Sequence, residues 1–214
     1  MVYSSGNSRV ILSAFATTLI IVLAAGCAGN QPPAGPASGR QVFADPGFDG
    51  SALPDTVADL GKFGTRIYRD GRVYIGGQPD EETVRALPEH KVAAVINLRT
   101  PKEMGDTNKI TFDEAALVDS LGLDYVWIPL GGKDHPYTPA AVDTFAAALE
   151  RHPGPVLLHC RSASRASHLW AAYLVRHRGW DVSEAYARGE AIGIGRSAFS
   201  KLLDRKMKMV EGTF

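Results

Sequence analysis

Cysteine is scarce in this chain: Cys27 and Cys160 are the only two in 214 residues. Two thiols exclude a disulfide framework and a four-cysteine zinc site. An excess of either charge is missing too, since 23 Lys and Arg balance 23 Asp and Glu. Without an overall basic excess, no nucleic-acid partner is expected. Internal repeats are absent, and so are histidine pairs at metal-ligand spacing, so no metal or other cofactor is expected. What is present is 45% apolar residues, with three Trp, seven Tyr and eight Phe. That suffices for one packed domain plus an extension, and it excludes disorder throughout.

The one long apolar run covers 10–25, after a short polar segment whose only cation is Arg9. These 16 residues fall short of a bilayer span, which needs roughly 20, and they sit where the apolar region of an export signal sits. The run ends in Leu23-Ala24-Ala25-Gly26-Cys27, which resembles a bacterial lipoprotein signal, in which the cysteine is lipidated and becomes the new N-terminus. The resemblance implies a signal peptide over 1–26, lipid on Cys27, and a membrane anchor facing the periplasm or the outer side of the cell membrane. Residues 28–50 contain nine Gly or Pro. Such a stretch buries too little apolar surface to offset its ordering entropy, so 27–50 reads as a flexible tether and 51–214 as the folded domain.

Beyond residue 60, strand and helix patterns alternate. Arg72-Val73-Tyr74-Ile75 reads as a strand closed by Gly76-Gly77, and Pro79 as the first residue of a helix with Asp80, Glu81 and Glu82 in its first turn. The run Val92-Ala93-Ala94-Val95-Ile96 marks a strand buried on both faces. There follow a helix over 112–121 closed by Gly122, a strand Tyr125-Val126-Trp127-Ile128, and a helix over 139–149. Val156-Leu157-Leu158-His159 then leads into a helix over 165–177, and a covering helix with a basic face is expected over 196–209. Trp127 and Trp180 read as core. The prediction is an α/β fold, a mainly parallel sheet of four to five strands flanked by helices. In such sheets ligands bind beyond the C-terminal strand ends.

His159-Cys160-Arg161-Ser162-Ala163-Ser164-Arg165 occupies such a position. A cysteine between a strand end and a helix N-terminus faces unpaired backbone N–H groups and the positive end of the helix dipole, which favour a thiolate nucleophile. The same groups cradle a tetrahedral oxyanion, to which Arg165 adds a planar two-donor fork. A lone cysteine is more often a small buried hydrophobe. Two arginines and three small residues around Cys160 favour the reactive reading.

Over 78–194 the sequence resembles the phosphatase-like domain of the beta-lactamase hydrolase-like proteins, a bacterial branch of the cysteine-dependent, dual-specificity-phosphatase fold. The landmarks are Gly77-Gln78-Pro79-Asp80-Glu81-Glu82, Val95-Ile96-Asn97-Leu98-Arg99, Leu123-Asp124-Tyr125-Val126-Trp127-Ile128-Pro129, the Cys160 loop, Leu169-Trp170 and Gly179-Trp180-Asp181-Val182. The resemblance implies a phosphatase in which Cys160 attacks phosphorus to form a cysteinyl-phosphate, while Arg165 and the loop residues Arg161, Ser162, Ala163 and Ser164 hold the phosphoryl oxygens. Four residues separate Cys160 from Arg165, against five in the main phosphatase signature, and Ala163 stands where the loop usually has glycine.

Such an enzyme needs an acid for the departing oxygen, and Asp134 is the only carboxylate of the 129–136 loop, with His135 beside it. Arg99 is a further candidate for orienting the loop or contacting substrate, while Asn97 is expected to tie backbone groups. The expectation is therefore an exported, lipid-anchored hydrolase for phosphomonoesters such as protein phosphotyrosine. The competing readings are a rhodanese-like sulfurtransferase carrying a persulfide on Cys160, supported by the four-residue spacing and by Leu98-Arg99-Thr100-Pro101-Lys102-Glu103, and an anion-binding pseudophosphatase, suggested by Ala163.

Overall fold

The computed structural model describes residues 48, 50, 52–194 and 196–205, all within one compact unit, Pro36–Phe214. The expected export signal, Cys27, most of the expected tether and the end of the basic tail lie outside the described residues. Six strands form the sheet: β1 (Asp55–Val57), β2 (Ile67–Asp70), β3 (Val73–Gly76), β4 (Ala94–Asn97), β5 (Asp124–Trp127) and β6 (Val156–His159), in the order β1-β2-β3-β6-β4-β5. The four from β3 to β5 are parallel, as expected. β1 and β2 add an antiparallel edge that the sequence pattern did not reveal, because three- and four-residue strands carrying Arg69 and Asp70 show no apolar alternation.

The helices are α1 (Glu81–Ala86), α2 (Pro101–Met104), α3 (Glu114–Ser120), α4 (Pro139–Arg151), α5 (Ser164–Arg178), α6 (Val182–Ile192) and α7 (Arg196–Leu202). Asp80, Thr100, Asp113 and Asp181 cap α1, α2, α3 and α6 by accepting backbone N–H bonds. Asp80 takes the cap that the Pro79 reading missed, leaving Pro79 just outside the helix. α6 was also missed: its buried stripe of Ala185, Arg188, Gly189 and Ile192 contains a charge and a glycine. Both have a reason. Arg188 pairs with the buried Asp70 at 2.6 Å, and a Cβ on Gly189 would lie 2.7 Å from Ile194 Cδ1 and 3.4 Å from Ala171 of α5.

Strand alternation sends side chains to two cores. Val73, Ile75, Ile96 and Leu158 pack with α4 to α7, while Tyr74, Val95 and Leu157 pack with α1 and α3. The folded part begins earlier than 51, since Phe48 is buried edge-on against Trp170, 6.2 Å between ring centroids. Trp180 is in the core, but Trp127 is not: on the edge strand β5 it is 45% exposed, and its indole N–H donates to Arg99 O at 2.7 Å. Among the described residues no helix is long and apolar enough to cross a membrane.

Candidate active site

The register aligns Gly76, His159, Asn97 and Trp127 in one row across β3, β6, β4 and β5. The segments that follow those residues therefore meet at one end of the sheet. There they enclose a cleft of about 780 Å³, lined by Arg161, Ser162, Ser164 and Arg165 from the β6–α5 turn, Glu103 from α2, and Asp134, His135 and Tyr137 from the loop after β5. Cys160 is 1% exposed, at the base of the turn that contributes Arg161 to Arg165.

α5 starts without a side-chain cap: its N-cap residue is Ala163, with no hydroxyl or carboxylate to satisfy the first-turn N–H groups. α4 lacks a side-chain cap as well, but it begins with Pro139, which has no N–H to satisfy; α5 has neither device, and its first residues Ser164 and Arg165 line the cleft, where its N-terminus can receive an anion. Ala163 has φ +66°, the left-handed conformation that glycine adopts without strain. Its side chain is 2% exposed and belongs to the apolar core, so the methyl group does not occupy the cleft. Alanine thus preserves the loop shape at an energetic cost. Replacing Ala163 by glycine is expected to raise stability by about 1 kcal/mol, measured as a higher denaturant midpoint.

Arg165 reaches across the cleft floor. Its NH1 donates to Leu98 O at 3.2 Å, Leu130 O at 2.8 Å and Glu103 Oε2 at 2.7 Å, while NH2 donates to Glu103 Oε1 at 2.7 Å. No bond among the described residues engages Nε–H, so one guanidinium edge stays available to an anion while the other is clamped. Glu103 was not among the expected site residues, although Thr100-x-x-Glu103 is a visible capping-box pattern, and the box is formed. Burial pushes the Glu103 carboxyl up, but hydrogen bonds from Arg165 and Thr100 outweigh it and hold the pKa at about 2. For Arg165, burial lowers the pKa and the Glu103 bonds more than restore it.

A carboxyl depressed in the folded state stabilises above its unfolded pKa, near 4.5, and that contribution disappears as pH falls toward 2. Glu103→Gln is therefore expected to lose on the order of 1–2 kcal/mol at neutral pH, after allowance for solvent screening, and to flatten the stability profile between pH 4.5 and 2. Denaturant melts across that range test both effects.

Asp134 is exposed at the tip of a tight turn closed by Gly131 N–H donating to His135 O at 2.6 Å. The turn places Asp134, His135 and Lys133 together, with Asp134 and His135 lining the cleft. Arg99 is placed differently from the expectation of substrate contact. It is 2% exposed, with NH1 donating to Gln78 Oε1 at 2.8 Å and NH2 to Glu103 O at 3.3 Å, so it supports the cleft from beneath. Burial lowers its pKa, against the raising effect of Glu103. Asn97 does tie the backbone: Oδ1 accepts Arg99 N–H at 2.7 Å. His168 is buried, with Nδ1 2.6 Å from Ser164 O, a packing and helix-start contact. Among the described residues no cluster of His, Cys, Asp or Glu has the arrangement of a metal site.

A thiol at the end of a central parallel strand, an open helix N-terminus and an arginine across the cleft define a cysteine-phosphatase-type hydrolase domain. Residues 73–175 match the model of the beta-lactamase hydrolase-like protein, phosphatase-like domain. Beta-lactamase hydrolase-like proteins of two Xylella fastidiosa strains, Temecula1 / ATCC 700964 and 9a5c, are each 32% identical over 129 residues, 59% of this chain. The aligned part spans 29% of the length of those relatives. Among solved structures, Tk-PTP in the active form superposes with a TM-score of 0.53 at 19% identity, covering 70% of this chain and all of that one. PTPMT1 gives 0.51 at 22% identity, covering 62% and 87%. These two likenesses establish a shared fold.

Proposed function

We propose that this chain hydrolyses phosphomonoesters through a cysteinyl-phosphate on Cys160. The observation that carries the reading is Cys160 at the base of the turn that leads into the uncapped start of α5, with Arg165, whose Nε–H is not engaged among the described residues, lining the cleft beside that turn. The phosphoryl oxygens lie against the α5 N–H groups and Arg165, which stabilise the charge of the transition state. The Cys160 thiolate bonds to phosphorus as the bond to the leaving oxygen breaks, and Asp134 gives that oxygen its proton. Asp134, now a carboxylate, takes a proton from the water that attacks the thiophosphate, which frees phosphate and restores the thiolate.

Tyr137 on the cleft wall gives an aromatic ring a flat partner, which favours aryl phosphates such as phosphotyrosine. Export and lipid anchoring at Cys27 belong to the same proposal, supported by the 10–25 apolar run and the small residues before Cys27. Substrate would then be met at the cell envelope.

The leaving-group dependence tests the acid. In single-turnover formation of the thiophosphate, Asp134→Asn is expected to slow the step by about 10²-fold with an alkyl phosphate or phosphotyrosine, yet to change it little with a nitrophenyl phosphate, whose oxygen leaves unprotonated. Equal losses on both substrates would remove Asp134 from the acid role and transfer attention to His135. The sulfurtransferase reading is tested on the same preparation with thiosulfate and cyanide, and no thiocyanate is expected.

A further inference from the structure

Of the three tryptophans, Trp170 and Trp180 are buried, whereas Trp127 stands half exposed at the end of β5. It lines a groove of about 640 Å³ with Met104, Ile110, Phe112, Ala115 and Tyr125, between β5 and the segment that joins α2 to α3. Glu114 borders the same groove, but it is 1% exposed and its carboxylate accepts bonds from His159, Asn97 and Gln78 inside the protein. The rest of the lining is mainly apolar, unlike the charged cleft around Arg161 and Arg165. α2 is the wall between the two: Thr100, Pro101, Lys102 and Glu103 line the cleft and Met104 lines the groove.

The groove lies along an open sheet edge. β5 ends the strand order and pairs on one side only, with β4. Asp124 N–H donates to Ala93 O at 3.1 Å and Ile128 N–H to Asn97 O at 2.9 Å. Successive residues of a strand turn their N–H and C=O groups to opposite sides, so positions 124, 126 and 128 serve β4, and Tyr125 and Trp127 turn theirs outward. No strand among the described residues covers that side. The side chains of Tyr125 and Trp127, two positions apart, share one face, and they are the two that β5 gives to the groove. Apolar groove and unpaired backbone therefore lie side by side. A lipid chain would fill the first and leave the second unused, whereas an extended polypeptide matches both, its backbone pairing with the edge and every second side chain falling on the groove.

The edge is also within reach of the chemistry. Trp127 stands in the same row as His159 with β4 between them, so two strand spacings separate them, about 10 Å, the span of about three extended residues. We infer that the β5 edge and the Trp127 groove dock a protein substrate in extended form, with an apolar side chain about three residues from the phosphorylated one seated against Trp127. The inference rests on the cleft holding a phosphoryl group, and it names the substrate as a polypeptide.

The test uses the unaltered full chain and a set of peptides with leucine or serine at every second place on either side of a tyrosine, which is either plain or carries a non-hydrolysable phosphonomethyl group in place of phosphate. Binding is followed by affinity, by acrylamide quenching of indole fluorescence, which reads Trp127 because the other two indoles are buried, and by hydrogen exchange at the Tyr125 and Trp127 amides. Among the phosphonate peptides, the leucine form is expected to bind about tenfold tighter than the serine form, to shield Trp127 from acrylamide and to slow exchange at both amides. Inorganic phosphate is expected to do neither of the last two. Equal affinity of the leucine and serine forms overturns the inference, as does tight binding that leaves Trp127 open to acrylamide. Shielding that grows with protein concentration in the absence of peptide overturns it too, since a second copy of the chain would then cover the edge. The phosphonate arm is separate: affinities indifferent to it would remove the phosphoryl reading of the cleft, whereas affinities indifferent to leucine remove the docking edge.

Discussion

Replacing Cys160 by serine is expected to reduce phosphate release from an aryl phosphate by at least about 10⁴-fold, leaving no turnover above background. A serine hydroxyl in the same place is not ionised at neutral pH, His159 has its Nε2 on Glu114, and Arg165 and Arg99 cannot accept a proton. Binding should survive. The α5 N–H groups, Arg165 and its Glu103 clamp do not depend on the sulfur, so phosphate or vanadate should still bind with an affinity within a few-fold of the unaltered chain. The hydroxyl enters a position that is 1% exposed, so a stability loss of about 1 kcal/mol is expected from burying a polar group. Turnover and anion binding measured on the same samples separate lost chemistry from lost structure.

The second large effect is expected at Arg165. Arg165→Lys keeps a charge but loses the planar fork, and turnover should fall by about 10²–10³-fold. Arg165→Ala should cost more in rate and should also cost stability, because Glu103 loses its partner and the carbonyls of Leu98 and Leu130 lose a donor. About 1–3 kcal/mol is the scale for groups left unsatisfied in this way. Removing the orphaned charge as well, in Arg165→Ala with Glu103→Gln, should recover part of the stability and none of the turnover. That split follows from the geometry: one edge of the guanidinium is held for structure and the other is free for the anion. A double variant that regained turnover would mean that Arg165 serves only to neutralise Glu103.

Much of this was legible before any coordinates. Continuous apolar strands such as Val156-Leu157-Leu158 and helices with one apolar stripe pointed to the parallel core, and the position of Cys160 between strand and helix made it the candidate nucleophile. What stayed hidden depends on three-dimensional pairing. Glu103 reads as a capping residue of a four-residue helix, and only the fold shows that the same carboxylate grips Arg165, 62 positions away. Glu114 reads as an ordinary first-turn acid, and its burial appears only when β6 brings His159 beneath α3. Arg99 and Trp127 show a related effect. Residue type suggested a cation that orients the loop or contacts substrate and a core indole, whereas the edge position of β5 exposes the tryptophan and the Gln78 and Glu103 contacts bury the arginine. Ala163 shows the reverse: its departure from glycine was plain in the sequence, and the coordinates explain how an alanine is accommodated there.

The measurement that tests the account most directly is to mix the full chain with a nitrophenyl phosphate, quench within one turnover, and determine the mass of the peptide that contains Cys160. The account predicts one added phosphoryl group on Cys160, absent from Cys160→Ser and discharged by water in an unquenched sample. Turnover with no phosphoryl group on Cys160, or a persulfide formed from thiosulfate in its place, would contradict it.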